Sequence, residues 1–228
     1  MPAERHDDNR SSANSQRIFE VLRQAIVQLH LRPGHALSES EIAKQFNISR
    51  QPVREAFIKL NEIRLVEIRP RRGTFVRLIS LHEIDNARFL REAIEAAVVR
   101  SAAEKASSAD VAGLKNIIFQ HHELAQERGY LKLLLHDETF HQSLARIAGR
   151  GEVWSVIQAF KTQVDRARFF TAPDEEAIRV MIQQHSEIID GIEKGDPDIA
   201  EIAMRRHLHE IERFLPSLAE TNPSYFTD

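Results

Sequence analysis

Two sets of residues in this chain have the types and spacing to do chemistry. In the segment HDETFHQSL, Asp137 and His141 stand four apart, so on a helix both side chains leave the same face about one turn apart. His185, in VMIQQHSEIIDGI, and His207, in AEIAMRRHLHEI, lie on later helical stretches. Three imidazoles and one carboxylate suit a borderline divalent metal ion such as Zn²⁺, Ni²⁺ or Mn²⁺, with coordination positions left for water or an anionic ligand. The chain has 11 histidines, however, so the i,i+4 pair is a weak signal by itself. Taken singly, His185 and His207 read sooner as hydrogen-bonded core residues than as ligands, and His121, His122, His136 and His209 as solvated or packed on helix surfaces.

The second set is basic. Arg50, Gln51 and Arg54 open the segment SRQPVREAFIKL, and Arg69, Arg71, Arg72 and Gly73 surround a Pro/Gly turn. The elements that must position them are short. In SESEIAKQF, Ile42, Ala43 and Phe46 line one face, and in the next helix Val53, Phe57 and Leu60 do the same, with Ile48 between. Helices of this length are unstable alone, so the two faces must pack on each other as a helix-turn-helix. Ser49 is placed to cap the second helix, and Pro52 falls in its first turn, where a missing N–H costs nothing. Arg50, Gln51 and Arg54 then lie at the end of the helix that enters a major groove, where Arg can fork onto guanine and Gln can pair with adenine. Leu65–Arg69 and Thr74–Arg77 read as a hairpin, a wing whose arginines meet phosphates or the minor groove. A stripe of Ile18, Val21, Leu22, Ala25, Ile26 and Leu29 closes this small core from the other side.

Charge divides the chain in the same place. Residues 1–77 hold 14 Lys and Arg against 9 Asp and Glu, and the remaining 151 residues hold 17 against 25, so a basic N-terminal part (+5) precedes an acidic body (−8). There is no cysteine, which excludes disulfides and thiolate zinc sites. The polar N-terminus has no apolar signal region and no run approaches the ~20 apolar residues of a membrane span, so a cytoplasmic protein is expected. Residues 1–14 read as a loose arm, 15–77 as the DNA-binding domain, 78–84 as a linker and 221–228 as a tail. Between them, 85–220 forms a helical domain, with candidate helices at about 81–105, 109–128, 131–147, 152–171, 174–194 and 197–218. Gly149 with Gly151, Pro173 and the Gly195–Pro197 turn punctuate them. The fold class is mainly α: a winged helix-turn-helix followed by an antiparallel bundle of about six helices, large enough for a ligand cavity.

The stretches PGHALSESEIA (33–43), SRQPVREA (49–56) and RPRRGTFV (69–76) resemble the winged module of the GntR family of bacterial transcription regulators. The resemblance implies that Arg50 and Arg54 contact bases or phosphates with Gln51 beside them, and that Gly73 is the wing-tip glycine against the minor groove. Ser40 stands where several relatives have an arginine. The body is similar to the FadR-type, FCD-domain branch of that family at Asp137, Phe140 and His141, at His185 ahead of Gly195–Asp196, and at Ala203, His207 and Leu208. Relatives with all four residues bind a divalent metal through them and a small carboxylate effector beside it. Arg91, with Glu95 a turn later, matches an arginine ahead of a glutamate on the first bundle helix of relatives, and Arg166 and Arg168 match a basic stretch that faces the cavity in some of them. An arginine can hold a carboxylate in a bidentate fork, and any one of the three reads equally as a surface residue in a helix-face ion pair. The segment FNISRQPVREAFIKL and the tail NPSYF resemble members near sugar-acid catabolic genes, which suggests a hexonate or related hydroxy acid.

Two classes of function accommodate these features. The first is a homodimeric regulator, most often a repressor, that reads a palindromic operator and responds to a metal-anchored carboxylate, or to the metal directly. The second treats the Asp/His cluster as an active site activating water or oxygen, but no general base or nucleophile stands out beside it, and an enzyme leaves the DNA module idle.

Overall fold

The computed structural model describes residues 3–171 and 174–228, so Pro173, one of the expected helix boundaries, lies outside the described residues. The chain divides into two compact units, residues 1–80 with 222–228, and residues 81–221.

The first unit begins with α1 (Ala3–Val27), which starts inside the stretch expected as a loose arm. Its buried face, Ile18, Leu22 and Ile26, packs on the core made by α2 (Glu39–Phe46) and α3 (Arg50–Glu62), to which Ile42, Ala43, Val53, Phe57 and Leu60 contribute. Val21, expected in that stripe, is exposed. Ser38 caps α2, its Oγ accepting from the Glu41 N–H at 3.3 Å. Asn47 ends the helix in the left-handed region (φ 54°), which a short polar side chain tolerates. Ser49 holds the extended N-cap position of α3 as expected, but its side chain makes no capping bond.

Strand β1 (Ala36–Leu37) and the hairpin of β2 (Val66–Arg69) and β3 (Gly73–Val76) form a three-stranded antiparallel sheet in the order β1-β3-β2. Arg69 lies opposite Gly73, leaving a three-residue tip of Pro70, Arg71 and Arg72. That tip closes through Arg71 at φ 62° and Gly73 at φ 110°, and the second angle is open to glycine without strain. Strand β4 (Ile79–Ser80) pairs in parallel with β5 (Phe226–Thr227), the Ile79 N–H donating to the Tyr225 carbonyl at 2.8 Å. The expected linker is therefore taken up by a strand and the start of a helix. The expected tail folds back into the first unit, because Ile79 and Phe226 gain burial and the two backbones satisfy each other.

The second unit holds α4 (Leu81–Lys105), α5 (Ser108–Gln126), α6 (Tyr130–Ile147), α7 (Val153–Phe160), α8 (Thr162–Thr171), α9 (Glu175–Glu193), α10 (Pro197–His209) and α11 (Ile211–Thr221). Four of the expected helices stand close to their expected bounds. The other two each break once, at Lys161 and at Glu210, where the backbone tightens through a Glu210 N–H to His207 carbonyl bond. Helix α10 packs on α4 and α9, and α5 on α6 and α9, around a core including Val99, Leu114, Phe140, Leu144, Ile188 and Met204. The α9–α10 turn is fixed by Gly195 at φ 63°, by Asp196, whose side chain caps α10, and by Pro197 at its first position. Gly191 lets the two helices cross closely, since a Cβ there would come within 2.6 Å of the Ala200 nitrogen.

Candidate metal centre and DNA-reading face

Antiparallel geometry brings two of the histidines together. His185 precedes Gly195 by ten residues and His207 follows it by twelve, so at about 1.5 Å per residue the two stand at nearly the same height on α9 and α10. Their Nε2 atoms are 3.2 Å apart. Helix α6 supplies Asp137, whose Oδ1 is 3.4 Å from His185 Nε2, and His141, whose Nε2 is 3.9 Å from Asp137 Oδ2. All four residues are buried, and one ligand atom from each lies within 4.8 Å of the others. The sequence-predicted quartet thus converges.

The far side of the rings is organised too. Glu95 on α4 holds His141 Nδ1 at 2.5 Å, and Arg91 holds Glu95, donating from Nε at 2.6 Å. His207 Nδ1 meets Gln184 Oε1 at 3.2 Å. A ring whose Nδ1–H is donated outward must present the Nε2 lone pair inward. Burial would raise the Glu95 carboxyl, but the Arg91 guanidinium and His141 overcome it and bring it down to about 2. Asp137 behaves alike: burial opposes ionisation, yet Arg168, His141 and His185 hold its carboxyl well below the usual range. Burial, followed by the neighbouring His141, pushes His207 down to about 3, and burial followed by His207 depresses His185. Both rings are therefore neutral at neutral pH, the form that ligates.

These residues fit a divalent cation. Asp137 Oδ1 and His141 Nε2 are buried with no hydrogen-bond partner, and two neutral imidazole edges meet at 3.2 Å; a shared cation satisfies all of them. A cavity of about 80 Å³ adjoins the cluster, enough for several water-sized groups, and is lined by Arg88, Arg91, Arg168, Gln184 and His207 among apolar side chains. Arg168 Nη1 also reaches Asp137 Oδ2 at 2.6 Å. Arg166, expected beside it as an effector residue, is fully buried, bonds Gln163 and is not part of the cavity wall. The reason is helical: residues two apart leave opposite faces, so Arg166 and Arg168 cannot both face one cavity.

In the first unit, the side chains of Arg50 and Arg54 are exposed at the start of α3. Glu39 on α2 gathers both. It accepts from Arg54 Nε and Nη2, each at 3.2 Å, and lies 3.6 Å from Arg50 Nη2. Gln51 is exposed and donates to Glu55. At the wing, Arg71, Arg72 and Gly73 are exposed, whereas Arg69 pairs with Glu67 at 2.8 Å and its guanidinium sits 4.9 Å over the Phe75 ring. Sequence reasoning did not find Glu39 or Gln184, whose roles depend on neighbours from another helix. It placed His121 and His136 in the surface group, yet His121 is fully buried.

A helix-turn-helix with a basic wing, joined to a helical body with a polar buried cluster, defines a DNA-binding regulator. Comparison with known proteins agrees: residues 14–76 match the model for bacterial regulatory proteins of the gntR family, and residues 87–210 match the FCD domain. The chain is 38% identical over 215 residues to the HTH-type transcriptional repressor RspR of Escherichia coli K12, covering 94% of each. It is 35% identical to a regulator in an unstable DNA locus of Streptomyces ambofaciens, covering 93% of this chain and 89% of that one. With the probable D-xylose utilization operon repressor of Paenarthrobacter nicotinovorans it shares 30% identity over 86% and 85%. Among solved structures, a putative GntR regulator from Rhodococcus sp. RHA1 shares the fold with a TM-score of 0.75 at 24% identity, covering 90% and 99%. The protein belongs to the GntR family and is a transcriptional regulator with an FCD domain, not an enzyme. No helix among the described residues is long and apolar enough to cross a membrane.

Proposed function

We propose that this protein is a cytoplasmic, homodimeric repressor that reads a palindromic operator through Arg50, Gln51, Arg54 and the wing tip, and releases it when a small carboxylate, of the sugar-acid type, binds a metal-anchored site in the bundle. The observation that carries the reading is the convergence of three imidazole Nε2 atoms on Asp137, two of the rings being held from behind by Glu95 and Gln184. Asp137, His141, His185 and His207 would hold the metal, which when bound supplies an electrophilic anchor for a carboxylate oxygen. Arg168 beside Asp137 and Arg91 on the cavity wall bring positive charge to the same space; Arg91 has donors beyond the one given to Glu95. Repression is supported by relatives named as repressors.

The effector can shift DNA binding only by its differential affinity for the two states, typically ~1 to 3 kcal/mol of coupling. A thermal-shift panel of sugar acids and hydroxycarboxylates on metal-loaded and chelator-stripped protein tests this. One acid should stabilise the loaded form alone and release operator DNA in an anisotropy titration. If metal shifts the melt and DNA binding while no acid adds to either, the metal itself is the signal.

A further inference from the structure

Three rings approach the metal centre, but only two are held from behind. His141 has Glu95 at its Nδ1 and His207 has Gln184 at its Nδ1, whereas His185 Nδ1 is buried with no hydrogen-bond partner. When the Nε2 of His185, which faces Asp137 and His207, ligates a cation there, the neutral ring's proton is left on Nδ1, as a buried donor lacking an acceptor. Such a group is destabilising if nothing answers it. Beside it, on α5, stands the converse: His121 is 0% exposed, and both its ring nitrogens are buried without a partner of good geometry. Its ring centroid is 5.6 Å from that of His185 and 5.1 Å from that of His136, so His121 and His185 are near enough for one water to bridge them. A buried donor without an acceptor thus lies against a buried acceptor without a donor.

We infer that His121 is the positioning residue of His185, accepting the His185 Nδ1 proton through one bound water and so fixing that ring with Nε2 inward. This rests on the metal-centre reading and adds to it a residue from a helix that supplies no ligand. The chemistry favours a histidine here over a carboxylate. A neutral acceptor adds no charge to a pocket that already contains Asp137 and Glu95, both held ionised in a buried setting.

Two variants test it. In His121→Phe a ring of similar shape fills the site without nitrogen; in His121→Asn a short amide restores an acceptor. Zn²⁺ and Ni²⁺ affinities are measured by competition with a chromophoric chelator, and melting temperatures are recorded on stripped protein. His121→Phe should bind either metal about 10- to 100-fold more weakly, while the stripped protein melts at or above the wild-type temperature, since an unanswered buried polar ring has been replaced by an apolar one. His121→Asn should recover most of the affinity. A packing role would move the two readouts together. The inference is overturned by unchanged affinity in a folded His121→Phe, by parallel loss of affinity and stability in both variants, or by His121→Asn falling with His121→Phe at unchanged stability. If His121→Phe does not fold, His121→Asn alone decides: affinity near wild type supports the inference, and a loss of tenfold or more overturns it. A wild-type protein that takes up no stoichiometric metal removes the metal centre itself, a failure distinct from all of these.

Discussion

The arginines of the two units are paired in opposite circumstances. Arg50 and Arg54 meet Glu39 with side chains 65% and 57% exposed, whereas Arg91 meets Glu95 with 8% and 3% exposed. Exposed pairs are screened and dispensable to folding, and they leave charge available for a polyanion. A buried pair commits its members to each other, because breaking it strands a charge in a poor dielectric. The first unit is thus built to exchange partners, and the second to hold polar groups in fixed places.

The largest effect that separates them is expected at the metal ligands. His185→Ala combined with His207→Ala should abolish stoichiometric metal, measured by elemental analysis after gel filtration, while the folded protein still binds operator DNA as the stripped wild type does. Full metal content in the double variant would remove the cluster from consideration.

Next in size is a pair of substitutions chosen as counterparts. Arg91→Met leaves the Glu95 carboxylate buried beside His141 without its cation, and should cost the helical unit about 3 to 5 kcal/mol in urea unfolding. Arg54→Ala should leave unfolding unchanged but weaken operator binding about 10- to 100-fold if the side chain pairs with a base. An Arg91 variant as stable as wild type, or an Arg54 variant with unaltered operator affinity, would erase the contrast between the units.

This contrast also governs what was legible in the sequence. The reading face is local: Pro52 and Gly73 act on neighbours a few residues away, so helix start, turn and wing could be placed from spacing, whereas the caps Ser38 and Asn47 were passed over and Ser49, expected to cap α3, makes no capping bond. The bundle site draws on α4, α6, α8, α9 and α10, and in the sequence only the Asp137–His141 step carried a local signal. The convergence of His185 and His207 needed the Gly195–Pro197 turn as a fixed point, and the link to Arg91 and Glu95 came from resemblance to relatives. Arg166 and Arg168 were taken together because they are close in sequence, although a helix sends them to opposite sides. His121 was passed over because nothing in HHELA distinguishes a buried ring from an exposed one, and the breaks at Lys161 and Glu210 carry no glycine or proline.

A smaller effect should appear on acidification. The folded-state values of His185 and His207 lie below the ordinary 6.5, His207 at about 3, so between these limits the unfolded chain binds more protons and stability falls as pH drops. Asp137 and Glu95, also depressed, add a loss of the same sign below about pH 4. Stripped protein should melt at progressively lower temperature from pH 7 to pH 5, with at most about 1.4 kcal/mol per pH unit from each group. His207→Gln should flatten the profile. A melt independent of pH across that range would mean the rings are not held neutral.

The smallest effect is expected where the two behaviours meet, at Glu39. It is an acid on the DNA-reading face, which should repel phosphate, yet it holds Arg54 by two donors. Glu39→Gln removes a negative charge, so binding to random-sequence DNA should tighten by a few fold and its salt dependence should steepen. The same change loosens the guanidinium, which then has to be ordered when it meets a base edge, so operator binding should gain less or weaken. The ratio of operator to random-sequence affinity should therefore fall, by roughly two- to tenfold, within what one bidentate contact contributes. Equal tightening on both DNAs would show that Glu39 acts through charge alone. A fall in the ratio at unchanged melting temperature would show that an exposed pair, irrelevant to stability, orients the side chain that reads the operator.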